Sequence, residues 1–265
     1  RSLESLVAQF IIDYHICVSR AMLDWLVVHF HIQRSDIMTI YDKPPVHFSA
    51  FIASKESIQR RHELLGKFKI LNSDVSGTVR TVQTQQRNPS NGNSTSSNGE
   101  YEMLPFASSD VYSQYCNHRN VSRSVSEKRD ILIVSSTSWT EDEDFSMLLS
   151  AMSQLDRTLQ SLQKKNVNSK KNILYIPKIT MVVTGKGPLK SYYEGEFEKL
   201  NHILEFVRFR TVWLEASEYP LLMSYADLGI CLHTSPSGLD LPMKVLDMLG
   251  SGILIACTSY PTLTE

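Results

Sequence analysis

The sequence predicts an α/β protein built on a doubly wound parallel sheet, and three observations predict it. Short apolar runs recur at 131–134, 179–184, 209–214, 227–232 and 253–257, each of strand length rather than helix length. Amphipathic stretches separate them, which is the alternation of parallel strands with crossover helices. Polar turns at 135–140, 185–187, 215 and 233–240 each follow a strand. Topology must then gather those turns at the carboxyl ends of the sheet, where open α/β folds hold ligands.

Taken in order, the chain opens on an amphipathic pattern (Leu3, Leu6, Val7, Phe10, Ile11) that runs into a strand, Tyr14-His15-Ile16-Cys17-Val18-Ser19. A helix from about Arg20 carries Met22, Leu23, Leu26, Val27 and Phe30 at helical spacing. A second strand, Met38-Thr39-Ile40-Tyr41, is stopped by Asp42-Lys43-Pro44-Pro45, because Pro45 drives Pro44 out of helical dihedrals. Strand–helix–strand over residues 1–48 cannot close a layer by itself. We expect it to be the remnant of an N-terminal Rossmann-like domain, and the chain to be a piece of something longer.

Residues 49–70 read as a basic helix with Lys55, Arg60, Arg61, Lys67 and Lys69. Residues 88–99 are all turn or coil formers, and such a tract buries too little apolar surface to offset its ordering entropy. We expect disorder over 72–100 and treat 49–128 as a low-complexity insert or linker. Asn93-Ser94-Thr95 and Asn120-Val121-Ser122 match the glycosylation sequon, a match that chance supplies readily in Asn/Ser-rich sequence.

The regular pattern over 129–265 is the C-terminal domain. After the first strand of that domain, Glu141-Asp142-Glu143-Asp144 precedes a helix with Met147, Leu148, Ala151, Met152 and Leu155; charge complementing a helix N-terminus explains at least some of these acids. The next strand, 179–184, is followed by Gly185-Lys186-Gly187-Pro188 and a helix through Tyr192, Tyr193, Phe197 and Leu200. A short helix over 220–225 follows the third strand.

Composition narrows the function classes. With 265 residues and 42% hydrophobic content the chain can bury a substantial core. Its 27 Lys+Arg against 28 Asp+Glu leave a net charge of −1, without the basic excess of a nucleic-acid binder. No apolar run is long enough to span a membrane. Of the four cysteines, Cys17, Cys231 and Cys257 lie in apolar strand-like runs and read as buried free thiols in a reducing compartment.

The chemistry concentrates in Ser237-Gly238-Leu239-Asp240-Leu241-Pro242-Met243-Lys244-Val245-Leu246-Asp247-Met248-Leu249-Gly250. Gly238 permits a tight strand-to-helix turn, and Pro242 suits the first turn of the helix that follows. On a helix starting near Leu241, Lys244 and Asp247 share a face. Backbone N–H groups and a cation suit a diphosphate, and carboxylates suit sugar hydroxyls. The same stretch would also serve as a plain strand, turn and helix with a solvated charged face. Gly185-Lys186-Gly187 lacks the spacing of a Walker loop or of GxGxxG, and can bring backbone and one cation near a phosphate or ribose. His233 ends a strand on the ligand edge and can donate to a sugar or phosphate oxygen.

Four segments occur in order: Ser135-Ser136-Thr137-Ser138-Trp139-Thr140-Glu141-Asp142-Glu143-Asp144-Phe145, Thr184-Gly185-Lys186-Gly187-Pro188-Leu189-Lys190, Trp213-Leu214-Glu215-Ala216 and Ser237-Gly238-Leu239-Asp240-Leu241-Pro242-Met243-Lys244. Together they closely resemble the chitobiosyldiphosphodolichol β-mannosyltransferase family. Tyr219-Pro220-Leu221-Leu222, Ala226-Asp227-Leu228-Gly229-Ile230-Cys231-Leu232-His233, Ile16-Cys17-Val18-Ser19-Arg20-Ala21-Met22 and Tyr41-Asp42-Lys43-Pro44 add to the resemblance. It covers roughly 1–48 and 129–265 and leaves the insert uncovered.

The resemblance implies a GT-B glycosyltransferase, with two Rossmann-like domains facing across a cleft and the donor mainly on the C-terminal one. It implies transfer of mannose from GDP-mannose to dolichol-diphosphate-linked chitobiose, with inversion to a β1,4 bond and no bound metal or other cofactor. The implied place is the cytosolic face of the endoplasmic reticulum membrane, through an N-terminal anchor not in this chain. Other mannosyltransferases of the pathway are the implied protein partners, and nucleic acid is not one.

Asp247 falls at the second acid of the family's donor-binding Glu-x7-Glu pattern. Asp240 lies seven residues before it instead of eight, and both are Asp rather than Glu. On this basis Ser138, Gly185, Lys186, Gly187, Glu215, His233, Ser235, Ser237, Gly238, Leu239, Asp240, Lys244 and Asp247 are the candidate donor-binding residues. Lys244, Gly187 and the 235–238 turn are expected on the diphosphate, Asp247 on the ribose, and Asp240 or His233 on the mannose. The general base is expected from outside this chain, which is expected to be inactive alone. A non-catalytic nucleotide-sugar-binding or partner-docking relative is the alternative, as is a GT-B enzyme with another donor.

Overall fold

The structure is a computed structural model and describes residues 7, 11–48, 55–70, 130–168, 175–234, 237–259 and 261–264. The expected disorder over 72–100, both sequons and Cys116 lie outside the described residues.

Two parallel sheets form. The smaller pairs β1 (His15–Cys17) with β2 (Ile37–Thr39), joined by helix α1 (Arg20–Phe30). Ser19 caps α1 by accepting from the Met22 N–H at 3.0 Å, and His31 ends it in the left-handed region. Cys17, Leu23, Ile32 and Ile37 are the small core this unit buries. Both strands are shorter than the apolar runs suggest, because only the segments that pair with each other are held extended.

The larger sheet contains β3 (Ile131–Ser136), β4 (Ile179–Thr184), β5 (Val207–Val212), β6 (Leu228–Cys231) and β7 (Leu254–Cys257). Its spatial order is β5-β4-β3-β6-β7, parallel throughout. The Rossmann-like sheet expected of the C-terminal domain is present. β5 begins two residues earlier than the sequence suggests, because the buried Asp156 carboxylate accepts from the Phe206 and Val207 N–H groups at 2.7 and 3.0 Å.

Helices cover both faces. On one side α3 (Phe145–Asn168) and α4 (Lys190–Ile203) pack Phe145, Leu148, Met152 and Phe197 against Ile133, Met181, Val183 and Phe209. On the other, α5 (Glu218–Tyr225) and α6 (Met243–Gly250) pack Leu222, Met223, Val245 and Met248 against Leu132, Val134, Val182 and Val212. β4 is buried along its whole length, which is why it reads as a continuous apolar run. Each fully buried Val or Met there contributes about 1.5–3 kcal/mol.

Residues 55–70, assigned to the insert from sequence, belong to this second core. Helix α2 (Lys55–Lys67) buries Leu64 and Leu65, and Ile70 follows them into the same cluster. Lys67 pairs with Glu218 at the start of α5. The dense basic residues hide an apolar stripe that is narrow but sufficient. Cys17 and Cys231 are buried as expected, whereas Cys257, at the carboxyl end of β7, is exposed.

Candidate functional site

From β3 the chain crosses to one side of the sheet for β4 and β5, then returns to β6 on the other side. The carboxyl ends of β3 and β6 therefore diverge and leave a crevice, the switch point where such sheets bind ligands. Two loops fill its rim, 137–144 after β3 and the described residues 232–234 and 237–242 after β6.

Glu143 holds them together. Its side chain is almost wholly buried, with 2% of the residue exposed. One carboxylate oxygen accepts from the Thr137 hydroxyl and, at 3.1 Å, from the Ser138 N–H. The other receives Lys244 from α6. A buried carboxylate is tolerable only with such a set of donors. The expectation that helix-start charge explains at least some of the four acids holds for one of them and does not extend to Glu143. Asp144 does serve the start of α3, accepting from the Ser146 N–H at 2.9 Å, but Glu143 is turned inward.

The turn that achieves this runs through Trp139, which sits in the left-handed region at φ 52° and is 1% exposed. A bulky residue rarely adopts this backbone. Trp139 is held there by its aromatic neighbours Phe145, Tyr193 and Phe197. Its indole N–H is buried without a direct hydrogen-bond partner among the described residues. The glycine pair after β4 is shaped to the same turn. A Cβ on Gly185 would lie 1.8 Å from the Thr137 carbonyl oxygen, and one on Gly187 1.7 Å from that of Ser138. Gly185 also has φ 137°. The two glycines let this loop lie directly on the 137–139 backbone.

Further contacts zip the rim. His233 forms an isolated bridge with Glu143, and its Nδ1 lies 3.0 Å from the Asp142 carboxylate. The Thr234 hydroxyl donates to the Asp142 carbonyl at 2.6 Å. His233 Nε2 lies 3.9 Å from Asp240, and the Ser237 hydroxyl donates to Asp240 at 3.2 Å. Gly238 takes φ 67° in this turn. Leu239 offers its carbonyl to the Ser19 hydroxyl, and Asp240 offers its own to Thr262 at 3.0 Å. The β1–α1 unit thus touches the rim at the residue that caps α1.

Of the sequence-predicted residues, Ser138, His233, Ser237, Gly238, Leu239, Asp240 and Lys244 are brought together at or beside the crevice. Gly185 and Gly187 back it from beneath. Lys186 and Glu215 stand further along the edge, at the ends of β4 and β5. The Lys186 Nζ lies 3.7 Å from the centroid of the half-exposed Trp213 ring, and the Glu215 N–H donates to Glu218 at 3.0 Å. Asp247 lies one turn on from Lys244 in α6 and near Tyr219 of α5. Ser235 lies outside the described residues.

Asp142, Glu143, Thr137 and Tyr219 were not singled out from sequence. The acidic run was the visible signal for the first two.

Two carboxylates are tuned in opposite directions. The Thr140 side chain, helped by the His233 ring, holds Asp142 below the usual carboxylate range. Burial pushes Asp247 up, against a lowering contribution from the Tyr219 hydroxyl. That hydroxyl is itself buried, lies near Asp247 and Ser136 without a direct hydrogen bond of good geometry, and is raised by desolvation. A groove of about 360 Å³ lies apart from this edge, between α3 and α4, lined by Leu149, Ser153, Arg157 and Glu196 among others.

No family model matches the chain. It is 35% identical over 258 residues to UDP-glycosyltransferase TURAN of Arabidopsis thaliana, covering 94% of this chain and 48% of that protein. It is 35% identical over 253 residues to human chitobiosyldiphosphodolichol β-mannosyltransferase, covering 95% of this chain and 45% of that one. The chain spans about half the length of the curated relatives it matches. Among solved structures it is similar to Anabaena HepE in complex with UDP, at 12% identity and TM-score 0.49, over 96% of this chain and 46% of that one.

Proposed function

We propose that this chain is the nucleotide-sugar-binding part of a GT-B β-mannosyltransferase acting on a dolichol-diphosphate-linked chitobiose. Relatives of that name, at 30–35% identity over 95–100% of the chain, support the reaction class. The observation that carries the reading on this molecule is Lys244, held by Glu143 at the β3–β6 crevice on the first turn of α6.

In this reading the donor is GDP-mannose. Its diphosphate lies at the start of α6, where Lys244 and backbone N–H groups meet the charge that grows as GDP departs. Asp247 accepts from ribose hydroxyls, and Asp240 or His233 contacts the mannose. The acceptor hydroxyl forms its bond to the anomeric carbon as the bond to the diphosphate breaks on the opposite face. Its proton is assigned to no residue of this chain, which is expected to bind donor without turning over. The reaction needs no resident metal, and the work is placed on the cytosolic face of the endoplasmic reticulum membrane.

Equilibrium binding of GDP-mannose and UDP-glucose to the purified chain tests the donor. We expect GDP-mannose to bind at least about tenfold tighter, the equivalent of one good hydrogen bond to the base. Equal or tighter binding of UDP-glucose would instead favour a UDP-sugar donor, the reading that the name of the Arabidopsis relative suggests.

A further inference from the structure

Cys231 and Cys257 are the last residues of β6 and β7, and they are register partners on adjacent parallel strands. Their side chains leave the sheet on one face. Two residues back along each strand, a Cβ on Gly229 would meet Met248 of α6, and Ile255 packs into the α5–α6 core. The two-residue period of a strand carries that face forward to both cysteines. Neighbouring strands run about 4.8 Å apart, inside the Cα range of about 4.4–6.8 Å that a disulfide spans and just beyond its usual Cβ range of about 3.5–4.5 Å, so closing the bond draws the two strand ends together. Both thiols are free, Cys231 buried and Cys257 exposed. The other described cysteine, Cys17, lies in β1 and donates to the Ser19 carbonyl.

We propose that Cys231 and Cys257 form a dithiol modification site, oxidised to a cross-strand disulfide by exchange with a small external disulfide such as oxidised glutathione. Burial pushes both thiols up, so thiolate is scarce at neutral pH, and the exposed Cys257 reacts first. Its thiolate attacks one sulfur of the external disulfide, that S–S bond breaks, and one thiol leaves with the proton Cys257 gave up. Cys231 then attacks the Cys257 sulfur as thiolate, the cross-strand S–S bond forms, and the second thiol leaves with the Cys231 proton. Two protein thiols are oxidised and one external disulfide is reduced to two thiols.

The bond would brace the rim from behind. β6 leads directly into His233, and β7 leads into the segment whose Thr258 N–H donates to the Cys231 carbonyl and whose Thr262 donates to Asp240.

Incubating the folded chain with oxidised glutathione and mapping its non-reduced peptides tests this. The expected product has lost two hydrogens and yields one cross-linked peptide pair joining 231 to 257. Cys231→Ser is expected to stop at glutathione on Cys257, and Cys257→Ser to leave Cys231 unmodified. Wild-type chain that halts as the Cys257–glutathione adduct, or that joins Cys257 to Cys17 or Cys116, would overturn the proposal. The wild-type map decides the matter even where a variant folds poorly.

Discussion

Asp247 carries a cost that its neighbours Tyr219 and His47 relieve only in part. Burial raises its pKa, so the folded state favours the protonated acid. That contribution to stability is complete below the unfolded pKa and lost as pH rises through the folded one. At neutral pH the ionised side chain therefore destabilises the fold. Asp247→Asn is expected to melt higher than wild type at pH 7, with the difference vanishing below the ordinary Asp range, while nucleotide affinity falls; thermal denaturation across pH checks it. Asp142 has the opposite sign, since its lowered pKa stabilises the fold above the unfolded value and is lost on acidification. Glu143 behaves differently again. Glu143→Ala would leave Lys244 and the Ser138 N–H without their acceptor, and urea denaturation should show a loss of about 3 kcal/mol. Replacing both charges, as Glu143→Gln with Lys244→Met, should recover most of that loss. A double variant as unstable as the single one would mean that the pair is incidental.

The elements divide into those the sequence discloses and those that only packing explains. β3 and β4 are legible because both faces are buried, so their apolar runs are unbroken. The glycines of Gly185-Lys186-Gly187 are legible as a turn, but their reason lies in a different loop, whose carbonyls occupy the space a Cβ would need. Glu143 was not legible, because four consecutive acids look alike until the left-handed Trp139 turns one of them inward. Its partner Lys244 is 101 residues away, and spacing along a chain cannot report such a contact. The glycines give an element-scale prediction. Gly187→Ala drives a Cβ into backbone and should cost about 1–3 kcal/mol, toward the upper end. Gly229→Ala has the Met248 and Ile253 side chains as its nearest neighbours, which can shift, and should cost clearly less. Equal losses in chemical denaturation would contradict the close packing of the two loops.

At the scale of the molecule, the rim of the crevice is where separate parts of the chain converge. The β3 loop, the β6 loop, α6, the capping residue of α1 and the 261–264 turn meet there through Glu143, His233, Lys244, Ser19 and Thr262. Segments far apart in sequence have been brought to one edge, and that edge is the switch point of the sheet. The alternation of strands and helices announced the edge; the ionic and hydrogen-bonded zip that organises it became visible only with the fold. The central claim is that a nucleoside diphosphate binds there, on the cation held by Glu143. Calorimetric titration of GDP into the wild-type chain and into the Glu143→Gln/Lys244→Met variant tests it most directly, because that variant is expected to stay folded. Losing a charge-assisted contact to the diphosphate predicts an affinity lower by about 10–100-fold. Unchanged GDP affinity in the folded double variant would place the nucleotide elsewhere and contradict the claim.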